Sequence, residues 1–199
     1  ELTIKELSGN NDYSGISGIT FRRNNEIIRN TDRPFMQNID ELPFPARHLL
    51  NNRLYLTPDT REAISFITVS RGCPRSCIFC AAGLASGHKL RIRGVASVIK
   101  EIEECITKYN INNFFFSADT FTWDKQWVIE LCAKITKKNM HIRWGANSRV
   151  DTLDEEMVAW MKKAGCYIIG FGAESASQHI LDKMRKGITV NQIEQAVGL

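Results

Sequence analysis

No stretch of these 199 residues stays apolar for the ~20 positions that a membrane-spanning helix needs, so no span is expected. The opening residues, Glu1-Leu2-Thr3-Ile4-Lys5-Glu6, lack both the basic start and the apolar core of a secretory leader. Histidine is scarce: there are four, with no His-x3-His pair to set two imidazoles on one helix face, so none is given a role of its own. An excess of one charge is lacking too. Lys and Arg number 26 against 22 Asp and Glu, and they interleave, as in Lys100-Glu101 beside Glu103-Glu104. Such segments read as solvated helix faces and not as a phosphate-binding stripe, so nucleic acid is not an expected partner.

Cysteine is the residue present in an informative pattern. Of the six, Cys105, Cys132 and Cys166 fall within apolar, periodic segments, and the other three form one cluster. Buried thiols plus a metal loop fit a reducing compartment better than a disulfide framework, and a cytoplasmic protein is expected. The cluster is Cys73-Pro74-Arg75-Ser76-Cys77-Ile78-Phe79-Cys80, a C-x3-C-x2-C spacing directly after the strand-like run Ile64-Ser65-Phe66-Ile67-Thr68-Val69. It supplies three soft ligands and no fourth. Structural zinc wants four protein ligands, whereas an iron–sulfur cube held by three thiolates keeps one iron open. A zinc site completed by His88 or a distant cysteine is the competing reading of the same residues.

From Ile64 onward, short apolar strands alternate with amphipathic helices. The strands are expected at 64–70, 113–117, 142–146 and 167–172, parallel and buried on both faces. Val95, Val98, Ile99, Ile102 and Ile106 recur at helical spacing, as do Leu153, Met157, Trp160, Met161 and Ala164. Thr152 to Glu155, Ser175 to Gln178 and Thr189 to Gln192 read as capping boxes, and a helix is expected over 124–138. This alternation predicts an α/β fold: a partial (β/α) TIM-like barrel with parallel strands. Before it, residues 1–62 read as a linker, with a β-hairpin turning at Asn24-Asn25 and an extended run through Leu42-Pro43-Phe44-Pro45-Ala46.

In such folds ligands gather at the carboxyl ends of the strands. That rule selects the cysteine loop within Arg71 to Cys80 after the first strand, Asp119 and Thr120 within Ser117 to Thr120 after the second, Arg149 within Asn147 to Arg149 after the third and Glu174 beside Ser175 after the fourth. Each has a plainer reading: Asp119 as a turn acid, Arg149 as a partner of Asp151, Glu174 as a helix cap. Arg75 reads as a solvated surface charge. Arg91 and Arg93 read as partners of nearby acids.

The C-x3-C-x2-C motif with Phe79 before its last cysteine resembles the signature of the radical S-adenosylmethionine (SAM) superfamily. Further blocks resemble its cobalamin-dependent branch: the connector over residues 16–50, Arg91-Ile92-Arg93, Phe116 to Phe121, Asn147 to Asp151, Gly172 to Ser177 and Met184-Arg185-Lys186-Gly187. Two positions depart from the family pattern. Ala118 stands where a second acid is usual, and Ala176 where glycine is favoured.

The resemblance implies an enzyme in which Cys73, Cys77 and Cys80 hold a [4Fe-4S] cluster, with Phe79, Asp119, Thr120, Arg149 and Glu174 around SAM. It implies reductive cleavage of SAM to a 5′-deoxyadenosyl radical, used for cobalamin-dependent methyl transfer or oxidative cyclisation of a small-molecule substrate. An electron donor of the ferredoxin or flavodoxin type would serve it. It also implies a cobalamin-binding domain ahead of residue 1 and a radical SAM core, 63–199, that continues past the last residue. A methylthiotransferase-like enzyme acting on RNA or protein, and a non-catalytic zinc-binding module, are the alternatives.

Overall fold

A computed structural model describes residues 1–199. The chain divides into two compact units, Glu1–Met36 and Gln37–Leu199. Residues 37–62, read from the sequence with the linker, belong to the second unit.

The first unit holds helix α1 (Leu2–Gly9) and an antiparallel hairpin of β1 (Thr20–Arg23) and β2 (Glu26–Arg29). The turn is the expected pair Asn24 and Asn25, both at positive φ (49° and 68°), which matches the twist of a two-residue hairpin. Arg23 is 2.6 Å from Asp12. Hydrogen bonds from Ser14 and Arg23 lower the Asp12 pKa to about 2.

In the second unit, the four expected strands are β3 (Ile64–Thr68), β6 (Asn113–Ser117), β7 (Arg143–Ser148) and β8 (Cys166–Phe171), all parallel and ordered β3-β6-β7-β8. A short antiparallel pair, β4 (Ser70–Arg71) with β5 (Arg91–Ile92), closes the base of the cysteine loop and its one-turn helix α2 (Ala82–Ala85). Helices α3 (Val95–Tyr109), α4 (Lys125–Lys137) and α5 (Glu155–Lys163) return the chain from strand to strand. Helices α6 (Gln178–Lys183) and α7 (Val190–Gly198) follow β8. The result is an incomplete (β/α) barrel.

The core lies on the helix-covered face, where Ile67, Phe114, Phe116, Trp144 and Ala146 meet Val98, Ile102, Leu131 and Met161. Burial on both faces, as expected from the apolar runs, is not what forms. The opposite face carries the register row Phe66, Phe115, Gly145, Ile168 and is open, with Phe66 62% and Ile168 52% exposed.

Helix starts refine the sequence reading. Asp124 caps α4 by accepting from Trp127 N, and Thr189 with Gln192 forms a complete capping box on α7. At α5 the cap is Asp154, not Thr152, because the chain leaves β7 through a 3-10 turn, Val150–Thr152, that holds the Thr152 hydroxyl on Arg149 O. Ser177, not Ser175, stands at the N-cap of α6, and makes no side-chain cap bond.

Candidate functional site: a cysteine-lined cavity at the strand ends

Leaving β4, the chain must reverse sharply. Gly72, at φ 95°, makes that turn, and a Cβ there would lie 2.1 Å from Lys89 O. Cys73 N donates to Gly87 O at 3.1 Å, which closes the loop on itself. Ile78 N donates to Met184 O at 3.1 Å and ties it to the turn after α6. The three cysteines therefore sit on a loop anchored at both ends. Cys80 is exposed, Cys73 and Cys77 are partly so, and none is in a disulfide.

One cavity of about 400 Å³ opens at the carboxyl ends of β3, β6, β7 and β8, and every residue selected from the sequence lines it: Cys73, Cys77, Cys80, Phe79, Asp119, Thr120, Arg149 and Glu174. Asp119 Oδ2 accepts from Gly72 N at 2.7 Å, so the β6 end holds the turn that launches the cysteine loop. Thr120 turns its hydroxyl back onto Asp119 O at 2.8 Å. Arg91 donates to Ser86 O across the loop, and its pKa is lowered by burial and by the neighbouring Arg71, with Asp119 opposing.

Arg149 takes its plainer reading in part. Its Nε and Nη2 lie 2.7 and 3.0 Å from the two Asp151 oxygens, and Nη2 also donates to Lys186 O at 3.0 Å. Glu174 is not a helix cap. It adopts a left-handed backbone (φ 65°), and its Oε1 accepts from Lys186 Nζ at 2.8 Å. The pair fits because Gly172 is bare: a Cβ there would sit 2.8 Å from both Glu174 Oε1 and Lys186 Nζ.

Eight further residues line the cavity, and three of them bear on its chemistry. Lys186, its side chain 8% exposed, lies with its ammonium 5.6 Å from the Phe79 ring centroid. Asn147 is the second. Arg75 is the third: its side chain 38% exposed, it is a surface charge in part, but its guanidinium is 2.8 Å from Asp151 and lies over the Trp123 ring at 5.4 Å. The Met184 to Gly187 block was the available signal for Lys186, but its partner lies twelve residues back and no local pattern links them. Arg93 pairs with Glu101 as expected, at 2.5 Å.

The residues fit a cluster better than a single ion. His88, the candidate fourth zinc ligand, lines a second cavity together with Cys73, Cys77 and Cys80, and its ring packs over Gly83. The cysteine set itself is all thiol, the soft donor that iron–sulfur clusters take. Beside it, Arg75 Nε is buried and has no hydrogen-bond partner, a donor left for an acceptor that the protein does not supply.

Comparison with known proteins agrees. The chain is 37% identical, over 99% of its length and 43% of the relative's, to an uncharacterized methyltransferase of Pyrococcus horikoshii. It is 26% identical, over 92% of its length and 30% of the relative's, to the anaerobic magnesium-protoporphyrin IX monomethyl ester cyclase of Cereibacter sphaeroides. It thus spans less than half the length of these relatives. Its fold matches that of a radical S-adenosylmethionine methyltransferase, TsrM from Kitasatospora setae, solved with cobalamin and a [4Fe-4S] cluster bound, at a TM-score of 0.75 with 19% identity over 99% of this chain and 42% of that one. The family profile described as Radical SAM superfamily matches residues 67–199, from β3 through the cysteine loop and all four strand ends to the last helix. A loop of three thiols placed where such barrels do their chemistry thus has its family: the chain belongs to the Radical SAM superfamily.

Proposed function

We propose that this chain carries the catalytic core of a radical SAM enzyme that cleaves SAM reductively and uses the product for cobalamin-dependent methyl transfer or oxidative cyclisation of a small molecule. The observation that carries the reading is the convergence of Cys73, Cys77 and Cys80 with Asp119, Arg149 and Glu174 on one cavity. When bound, the cluster supplies the electron that breaks a carbon–sulfur bond of SAM.

The chain's own residues hold and orient. Cys73, Cys77 and Cys80 are the cluster ligands, and the absence of a fourth leaves one iron for SAM. Phe79, half exposed on the cavity wall, offers a face for the adenine ring. Asp119 uses Oδ2 on Gly72 N and keeps Oδ1 for the ligand's amino group. Glu174, fixed by Lys186, presents its other oxygen to a ribose hydroxyl. Arg149 acts mainly through Asp151, with Nη1 remaining for a carboxylate. Thr120 holds the strand-end turn on which Asp119 sits.

Cobalamin use is supported by the connector over residues 16–50 and by the fold neighbour solved with cobalamin. Methyl transfer and cyclisation are supported by the activities for which the relatives are named. The electron donor is of the ferredoxin or flavodoxin type, and the six free thiols favour the cytoplasm. The test is direct: anaerobically reconstituted full-length protein, given SAM and a strong reductant, should release 5′-deoxyadenosine. If it binds iron and SAM yet leaves SAM intact over many hours, the reductive-cleavage reading fails.

A further inference from the structure

Arg75 stands inside the cysteine loop, two residues from Cys73 and two from Cys77. Its Nη2 is 2.8 Å from Asp151 Oδ2, on the turn that follows β7. Asp151 is nearly enclosed, its side chain 7% exposed, and Arg149 grips it from the other side through Nε and Nη2. Arg149 Nη2 reaches on to Lys186 O, and Ile78 N donates to Met184 O, so the loop is stitched to the turn after β7 and to the turn after α6. Arg75 Nε, meanwhile, is enclosed and meets no acceptor. A buried donor left unmet is costly, and it points to an acceptor that arrives with a ligand.

We propose that Arg75 is a positioning residue for the thiolate set: pinned on Asp151, it fixes the loop and provides its Nε–H to an anionic sulfur of the cluster held by Cys73, Cys77 and Cys80. This rests on the radical SAM reading above. A hydrogen bond to sulfur favours the more negative, reduced state and raises the reduction potential. Arg75→Lys separates the two roles, since an ammonium can still pair with Asp151 but carries no N–H at the Nε position.

The experiment compares wild-type full-length protein, Arg75→Lys and Arg75→Met, each reconstituted anaerobically with iron and sulfide. Circular dichroism checks the fold, iron and sulfide assays check loading, and redox titration followed by electron paramagnetic resonance gives the midpoint potential. The expected result is Arg75→Lys with wild-type fold and iron content but a more negative potential. Arg75→Met should show the same shift together with a lower iron content. A wild-type potential in folded, loaded Arg75→Lys overturns the assignment, whatever Arg75→Met does. Failure of wild-type protein to bind iron overturns it together with the radical SAM reading.

Discussion

Two populations of thiol coexist at the residue scale. Burial pushes the Cys132 and Cys166 pKa values up to about 12, and it raises that of Cys105. Because the thiolate is the nucleophile, the buried Cys105 and Cys132 should be inert in folded protein near pH 8, and Cys166, as exposed as Cys73 and Cys77, should be slowed by its raised pKa, while Cys73, Cys77 and Cys80 react. Thiol titration of metal-free protein should therefore count three fast-reacting groups when native and six in denaturant; five or six in the native state would refute the burial argument. The cysteine cluster was legible because its meaning is local, a ligand count within eight consecutive residues. Lys186 was not, because its role depends on Glu174 folding back through a left-handed turn over a bare Gly172. Removing that ammonium with Lys186→Met leaves Glu174 without the partner that orients it. SAM binding to the loaded protein should weaken about tenfold, about 1.4 kcal/mol, with iron content unchanged. Isothermal titration under nitrogen reads the first effect and iron assay the second.

At the scale of elements, β3 is an edge strand, and edge strands expose unpaired carbonyls. Arg47 donates to Phe66 O at 3.1 Å and Arg93 to Thr68 O at 3.0 Å, so two guanidiniums cover that edge. Both converge on Glu101 of α3, at 2.6 and 2.5 Å, and Glu101 is almost wholly buried. The apolar periodicity of α3 could be read from its sequence. A buried Glu101 could not: the pairing with Arg93, eight residues away, was expected, but Arg47 lies 54 residues before it, and sequence order does not show that the three meet. Glu101→Gln removes the charge that neutralises two enclosed arginines. It should cost about 3–5 kcal/mol, read as a lowered midpoint in urea denaturation. By contrast, Thr189→Ala removes only one end of a capping box on α7 and should cost about 1 kcal/mol. A Glu101→Gln loss no larger than the Thr189→Ala loss would mean the triad contributes little.

For the whole molecule, the parallel sheet has one finished face and one open one. Alternating strands and helices revealed the sheet, its order of elements and the ends that carry the site. They did not reveal that only one face is covered, because an apolar run reads the same whether helices pack on one side or both. The row Phe66, Phe115, Gly145, Ile168 crosses three strand pairs, with a register shift between Trp144 and Gly145 where β7 meets β8, and its ends are the most exposed. Contiguous exposed apolar surface of this kind promotes association and binds hydrophobic dyes. The 199-residue chain should therefore brighten an anilinonaphthalene dye in its native state. Phe66→Ser with Ile168→Ser should dim that signal and reduce self-association in sedimentation, with helix content preserved. Both side chains point away from the helix-packed core, so the double variant removes little buried contact and its stability should change little. Undiminished dye binding in the double variant would place the sticky surface elsewhere, with Leu49 and Leu54, 77% and 74% exposed, next in line.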